Sequence, residues 1–306
     1  MKKQSLNQNH KWKTIIVILV VLFIISWFIA TIISAFSNEE NNSGNVALIQ
    51  IKGTIMTGEG DFFSSSGVSS SSVVDKIERA GNDKSIKAVI FEIDSGGGGP
   101  VASEEIVKAI ERLNKTSVAW IREIGASGAY WVAASTDRIF ASRISIVGSV
   151  GVLSSSLGFS DFLQDHNITY NRLVGGEYKD IGSPLKDMTY SEKQILQKKI
   201  DTIHEYFLDD VVRLRNLNQT AKEEIGTAMI YTGQEGLKIG LVDEIGTKID
   251  VINYLEKNLN TTIVIRSYVD KKSLLDVLGE LVSVQGFQMG KGMTNFLNKK
   301  DALIST

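Results

Sequence analysis

The residues able to do chemistry lie in three glycine-rich stretches. Gly125-Ala126-Ser127-Gly128-Ala129-Tyr130 follows an apolar run, Ser117 to Ile121, and leads into Tyr130 to Ala134, which reads as the first turns of a helix. Strand, glycine turn, serine and helix start, in that order, set a hydroxyl beside free backbone N–H groups at a helix N-terminus, where developing negative charge is stabilised. Ser127 is therefore a candidate nucleophile, although a serine in that place is also an ordinary helix N-cap. Asp94-Ser95-Gly96-Gly97-Gly98-Gly99 ends another apolar run, and consecutive glycines let N–H groups turn into a site as an oxyanion hole requires. A plain turn accounts for the same residues. Phosphate cradling lacks both the Lys-Ser/Thr of a P-loop and the G-x-G-x-x-G spacing. The third stretch, Val174 to Pro184, carries Lys179.

A serine nucleophile needs a base, and composition narrows the choice. The 306-residue chain has no cysteine, which removes disulfides, thiol nucleophiles and thiolate metal sites. Its three histidines, His10, His166 and His204, are scattered without zinc-site spacing, so a zinc centre is not expected. Neutral lysine is the base that remains. A free lysine titrates near 10.4, so its surroundings must lower that by several units. Lys179 is the candidate, provided that Glu177 and Asp180 point away from it; a solvated surface lysine is the alternative. The formal charge of −2 gives no basic footprint for nucleic acid.

The elements that must position these residues start with residues 14–37, an uncharged run rich in Ile, Val, Leu and Phe and long enough to cross a bilayer. Lys2, Lys3, Lys11 and Lys13 precede it and Glu39 and Glu40 follow. The positive-inside bias then keeps residues 1–13 in the cytoplasm and places the rest outside. Small residues at Ser34-Ala35-Phe36-Ser37 offer a cleavage site, but the apolar core exceeds the roughly 7–15 residues of a signal-peptide core, which favours an uncleaved anchor. Residues 38–45 read as a linker, 46–270 as the exported domain and 271–306 as an amphipathic segment and tail.

Within the domain, strands are expected at Val46–Ile51, Ala88–Ile93, Ser117–Ile121, Ile139–Ala141, Ile168–Leu173 and Thr262–Ile265, and a mobile loop at Ser64–Ser72. Helices are expected at Val73–Ala80, beyond Pro100 and at Ile249–Leu259. A long one opens at a Thr189/Glu192 capping box, with Leu196, Ile200, Ile203, Phe207, Val211 and Leu214 as its apolar face. Alternating strands and helices predict an α/β wound sheet with flanking helices.

Taken jointly, the stretches resemble the signal peptide peptidase SppA family of membrane-anchored Ser-Lys proteases, over about Val46 to Tyr268. Ala126-Ser127-Gly128-Ala129-Tyr130-Trp131 is similar to the family's A-S-G-G-Y-Y/W nucleophile motif, with Ala129 in place of the second glycine. Gly175-Gly176-Glu177-Tyr178-Lys179-Asp180 with Ser183-Pro184 resembles the loop that supplies the lysine. Gly148-Ser149-Val150-Gly151-Val152 resembles the G-S-[LIV]-G-V run, and Tyr231-Thr232-Gly233 with Gly240-Leu241-Val242-Asp243 resembles a Y-x-G…G-L-[VA]-D signature of the fold. The resemblance implies a ClpP/crotonase-like fold with Ser127 as nucleophile, Lys179 as general base and Ser149 orienting that lysine. It further implies an oxyanion hole made by the N–H groups of Gly98 and Ser127, and no metal or organic cofactor. The glycine loop departs from the family's N-S-P-G-G, with Gly96 where proline would fix the backbone. Further implications are a cell-membrane location, signal peptides as substrates, and a homo-oligomer sharing the dyad between neighbouring subunits. A crotonase-type acyl-CoA enzyme and an inactive membrane-bound scaffold of the same fold are the alternatives. The anchor argues against the first.

Overall fold

The computed structural model describes residues 5–36, 43–58 and 67–268. In chain order the elements are α1 (Ser5–Phe36), β1 (Val46–Lys52), β2 (Thr54–Met56), β3 (Gly67–Ser69), α2 (Ser70–Asn82), β4 (Ala88–Ser95), α3 (Pro100–Glu111), β5 (Thr116–Ala126) and α4 (Gly128–Ala134). There follow β6 (Arg138–Ala141), β7 (Ile146–Gly148), α5 (Ser160–Asp165), α6 (Tyr190–Arg215), α7 (Gln219–Ile225), β8 (Ile230–Thr232), α8 (Gly233–Ile239), β9 (Glu244–Ile245), α9 (Lys248–Leu259) and β10 (Ile265–Tyr268).

The helix α1 belongs to a unit separate from residues 41–269. Among the described residues no helix is long and apolar enough to cross a membrane. Of the segment expected to be an anchor, Ser37 lies outside the described residues, as do residues 38–42 of the linker and the whole of 271–306.

The domain is α/β with a mixed sheet in the order β10-β1-β4-β5-β6-β9, parallel along that path; β7 pairs with β5, and β8 adds to β7 antiparallel. Parallel strands buried on both faces read as near-continuous apolar runs, as β4 does with Ala88-Val89-Ile90-Phe91. Alternate side chains then serve two layers. Val46, Leu48, Ala88, Ile90, Val118 and Phe140 pack on Val251 and Leu255 of α9. The opposite face, with Ile49, Phe91 and Ile121, packs against α2, α3, α4 and the C-terminal half of α6, where Phe207 and Val211 are buried. α6 starts as expected: the Thr189 hydroxyl accepts from the Glu192 N–H, and Glu192 accepts from the Thr189 N–H.

Three expectations need correction. Ile168–Leu173 is not a strand: among the described residues no neighbouring strand supplies a ladder, and Leu173 is 96% exposed. The last strand begins at Ile265, because Asn45 takes the backbone of Thr262 and Val264 through its amide, leaving Ile265 as the first residue registered with Val46. Of the Ser64–Ser72 loop, residues 64–66 lie outside the described residues, whereas Gly67–Ser69 forms β3 on β2 and Ser70 starts α2.

Strand β5 organises the candidate site. One edge pairs with β4; the other pairs first with β6, through Val118–Ile121, and then with β7, through Ile124–Ala126. Ser127 is the residue that follows.

Candidate functional site

Ser127 joins β5 to α4 at φ 54° and ψ −130°, a backbone conformation that costs a residue with a side chain about 1–3 kcal/mol. Its carbonyl accepts from the N–H groups of Tyr130 and Trp131 at 2.9 and 3.0 Å, so it starts the helix through its backbone. Ser127 thus holds the N-cap position of α4 through its backbone alone, and its hydroxyl makes no cap bond. The N–H of Ser127 donates to the Gly148 carbonyl at 2.8 Å. That bond belongs to the sheet, and it corrects the assignment of this N–H to an oxyanion hole. The next one along, at Gly128, begins α4, and N–H groups of a first helical turn have no partner within the helix.

The glycine loop lies directly on this turn. Gly97 has φ +99°, and a Cβ there would stand 2.7 Å from the Gly128 nitrogen and 2.8 Å from the Ser127 Cβ. The loop is held by β2: the Ile55 N–H donates to the Gly97 carbonyl at 3.0 Å, and the Gly99 N–H donates to the Ile55 carbonyl at 2.9 Å. In a trans peptide the carbonyl of Gly97 and the N–H of Gly98 point to opposite sides, so the Gly98 N–H faces away from Ile55. Its nitrogen lies 3.5 Å from where a Cβ on Gly128 would sit. Two backbone donors, at Gly98 and Gly128, are thus brought together beside Ser127. Ser95 fixes the loop from below, donating to the Gly53 carbonyl at 2.5 Å and accepting from the Gly97 N–H at 3.1 Å. These bonds supply the order that a proline at position 96 would give. Ser95 and Ile55 escaped sequence reading because their roles depend on β1 and β2 lying beside β4.

Gly98, Ser127, Gly128 and Ser149 line one cavity of about 670 Å³, with Thr54 at one side. Trp131, Val152, Leu153, Ile203 and Phe207 give it an apolar wall, in which Trp131 stacks on Phe207 at 4.9 Å. A second groove of about 430 Å³, between α2 and α3, holds none of the candidate residues. Ser149 follows β7 as Ser127 follows β5; it too has φ 54°, and its N–H donates to the Met229 carbonyl at 2.9 Å.

Lys179 is not among the residues lining the cavity. It is exposed, in a turn where its N–H donates to the Gly176 carbonyl at 3.2 Å, and among the described residues no ion pair includes it. Asp180 turns to Arg172, whose guanidinium is the main cause holding that carboxyl down at about 2. Glu177 is set against Tyr178 and raises the titration of its hydroxyl. From Val152 to Ser191 no residue is buried, and Leu153, Leu157 and Leu173 are 84, 74 and 96% exposed.

Residues 109–262 match the model of Peptidase family S49. The chain is 35% identical over 230 residues to a protein of Methanocaldococcus jannaschii named as a protease, covering 74% of this chain and 72% of that one. It is 29% identical over 228 residues to an Enterococcus faecium protein named as signal peptide peptidase SppA, covering 73% and 66%. It is 29% identical over 223 residues to Protease 4 of Haemophilus influenzae, covering 72% of this chain and 36% of that protein, so the chain spans about a third of that relative's length.

Proposed function

Because the chain belongs to peptidase family S49, a family of serine proteases, we propose that it is a membrane-anchored endopeptidase of the ClpP/crotonase-like fold. In this reading it degrades signal peptides after their release from preproteins, through Ser127 and Lys179. The observation that carries it is the Ser127 turn: a strained serine whose hydroxyl caps nothing, lining a cavity beside the backbone nitrogens of Gly98 and Gly128.

Neutral Lys179 takes the proton of the Ser127 hydroxyl as its oxygen attacks a peptide carbonyl. The resulting oxyanion lies on the N–H groups of Gly98 and Gly128. The lysine then passes the proton to the leaving amine, and water hydrolyses the serine ester, with the proton of that water returning through the lysine. Ser149 orients Lys179. The apolar wall from Trp131 to Phe207 suits the side chains of a signal peptide.

The lysine serving a given Ser127 comes from the adjacent subunit of a homo-oligomer. What supports this is the exposure of Lys179, its absence from the lining of its own chain's cavity, and the exposed apolar residues of 153–173 that an assembly would cover. Residues 14–37 anchor each subunit, with the N-terminus in the cytoplasm and the catalytic domain outside. A serine-directed fluorophosphonate probe tests the reading: it should label the protein in detergent and fail to label Ser127→Ala. Equal labelling of the two would sink it.

A further inference from the structure

The sequence Glu177-Tyr178-Lys179-Asp180 places carboxylates on both sides of the lysine. A carboxylate within about 4–6 Å of an ammonium favours its charged form by about 1–3 pH units, which would disable a base. Taking Lys179 to be the base, as proposed above, we infer that Arg172, backed by Lys186, is a positioning residue that occupies Asp180 and so leaves Lys179 without a carboxylate partner.

The geometry is that of a filled acceptor. Arg172 grips Asp180 with both arms of its fork, Nε to Oδ2 at 2.5 Å and Nη2 to Oδ1 at 2.8 Å, and its Nη2 also reaches the Glu177 carbonyl at 3.4 Å. Lys186 Nζ lies 3.7 Å from Asp180 Oδ1 and 2.5 Å from Glu192 Oε1, and Glu192 completes the capping box of α6 with Thr189. The cluster is thereby tied to the start of a long helix. Asp187, further along the same stretch, accepts from the Ser160 hydroxyl of α5. Arginine suits the task because it stays protonated through the whole range in which a lysine titrates and matches both carboxylate oxygens at once.

The test follows that titration independently of catalysis, through the pH dependence of Lys179 acetylation by dilute acetic anhydride, quantified by peptide mass spectrometry on the full-length protein in detergent. In Arg172→Gln the midpoint should rise by about one unit, making acetylation about tenfold slower at a fixed pH below it. Adding Asp180→Asn should bring it back to the wild-type value. Should Arg172→Gln fail to fold, Arg172→Lys serves instead. One ammonium fills less of Asp180 than the fork does, so a smaller rise, again cancelled by Asp180→Asn, is expected. An unmoved midpoint, or a rise that Asp180→Asn does not cancel, overturns the inference. Peptide hydrolysis by Lys179→Ala would instead remove the base reading and leave the measured pairing intact.

Discussion

Ser127 and Ser149 leave neighbouring parallel strands at the same level. Ala126 of β5 is in register with Gly148 of β7, and the next residue on each strand turns at φ 54°. The Ser127 N–H closes the last rung on the Gly148 carbonyl, while the Ser149 N–H is taken by the carbonyl of Met229. Both backbones are fixed by the sheet, and both residues line the same cavity. A lysine entering between the two turns would meet a hydroxyl from each, one to deprotonate and one to hold it.

Ser149→Ala should accordingly lower kcat/KM by about tenfold to a hundredfold, the scale of losing an orienting contact. Alanine faces the same backbone conformation as serine, and the hydroxyl has no hydrogen bond among the described residues, so stability should stay within about 0.5 kcal/mol of wild type. Steady-state kinetics beside a thermal melt checks both parts. An unchanged rate would leave Ser149 without a role in the reaction.

Ser95→Ala tests the support of the glycine loop. Ser95 is 1% exposed and bridges the Gly53 carbonyl and the Gly97 N–H. Losing its hydroxyl leaves buried backbone groups unpaired, at a cost of about 1–3 kcal/mol. The Gly98 N–H loses its aim with the loop, so kcat should fall more than KM rises. A destabilised variant with wild-type kcat would mean that Ile55 alone sets the donor.

Acid should weaken the domain through identifiable groups. Asp83 accepts from the N–H and hydroxyl of Ser85 and from Arg266, which together hold it well below the usual carboxylate range; Asp180 is held at about 2, chiefly by Arg172. A carboxylate whose folded value is depressed contributes stability that is present above its unfolded value, near 3.9, and is lost as pH falls through the folded value. Thermal midpoints should therefore drop between about pH 4 and pH 2. Asp180→Asn should flatten part of that drop. A mutant curve parallel to wild type throughout would show that the Arg172 pair adds nothing to folding.

What the sequence discloses and what it hides follows from the range of the interactions. The β5-Ser127-α4 junction and the Thr189 cap are local, set by residues adjacent in the chain, and were legible there. The glycines of 96–99 signalled close approach, but only the fold shows that Ile55 clamps them and that Ser127 and Gly97 nearly touch. The choice between the N–H of Ser127 and that of Gly128 depended on β7, which appears in sequence only as the short run before Ser149. Ile168 to Leu173 has strand-like composition, yet a strand requires a partner, and none pairs with it among the described residues.

The same exposed segment motivates the last prediction, that the active unit needs two subunits. Lys179 stands outside the lining of its own chain's cavity, in a stretch from Val152 to Ser191 with no buried residue and with large apolar side chains in solvent. A neighbouring subunit would cover such an arm. Ser127→Ala and Lys179→Ala should each be inactive alone. Co-assembled in equal amounts, they should recover up to about a quarter of wild-type activity, since random mixing pairs an intact serine with a neighbour's intact lysine at about one interface in four. Hydrolysis of a peptide substrate by purified mixed oligomers, with their composition verified by two affinity tags, measures the recovery. If mixed oligomers form and remain inactive, the lysine serves the serine of its own chain, and the arm must fold back to reach it.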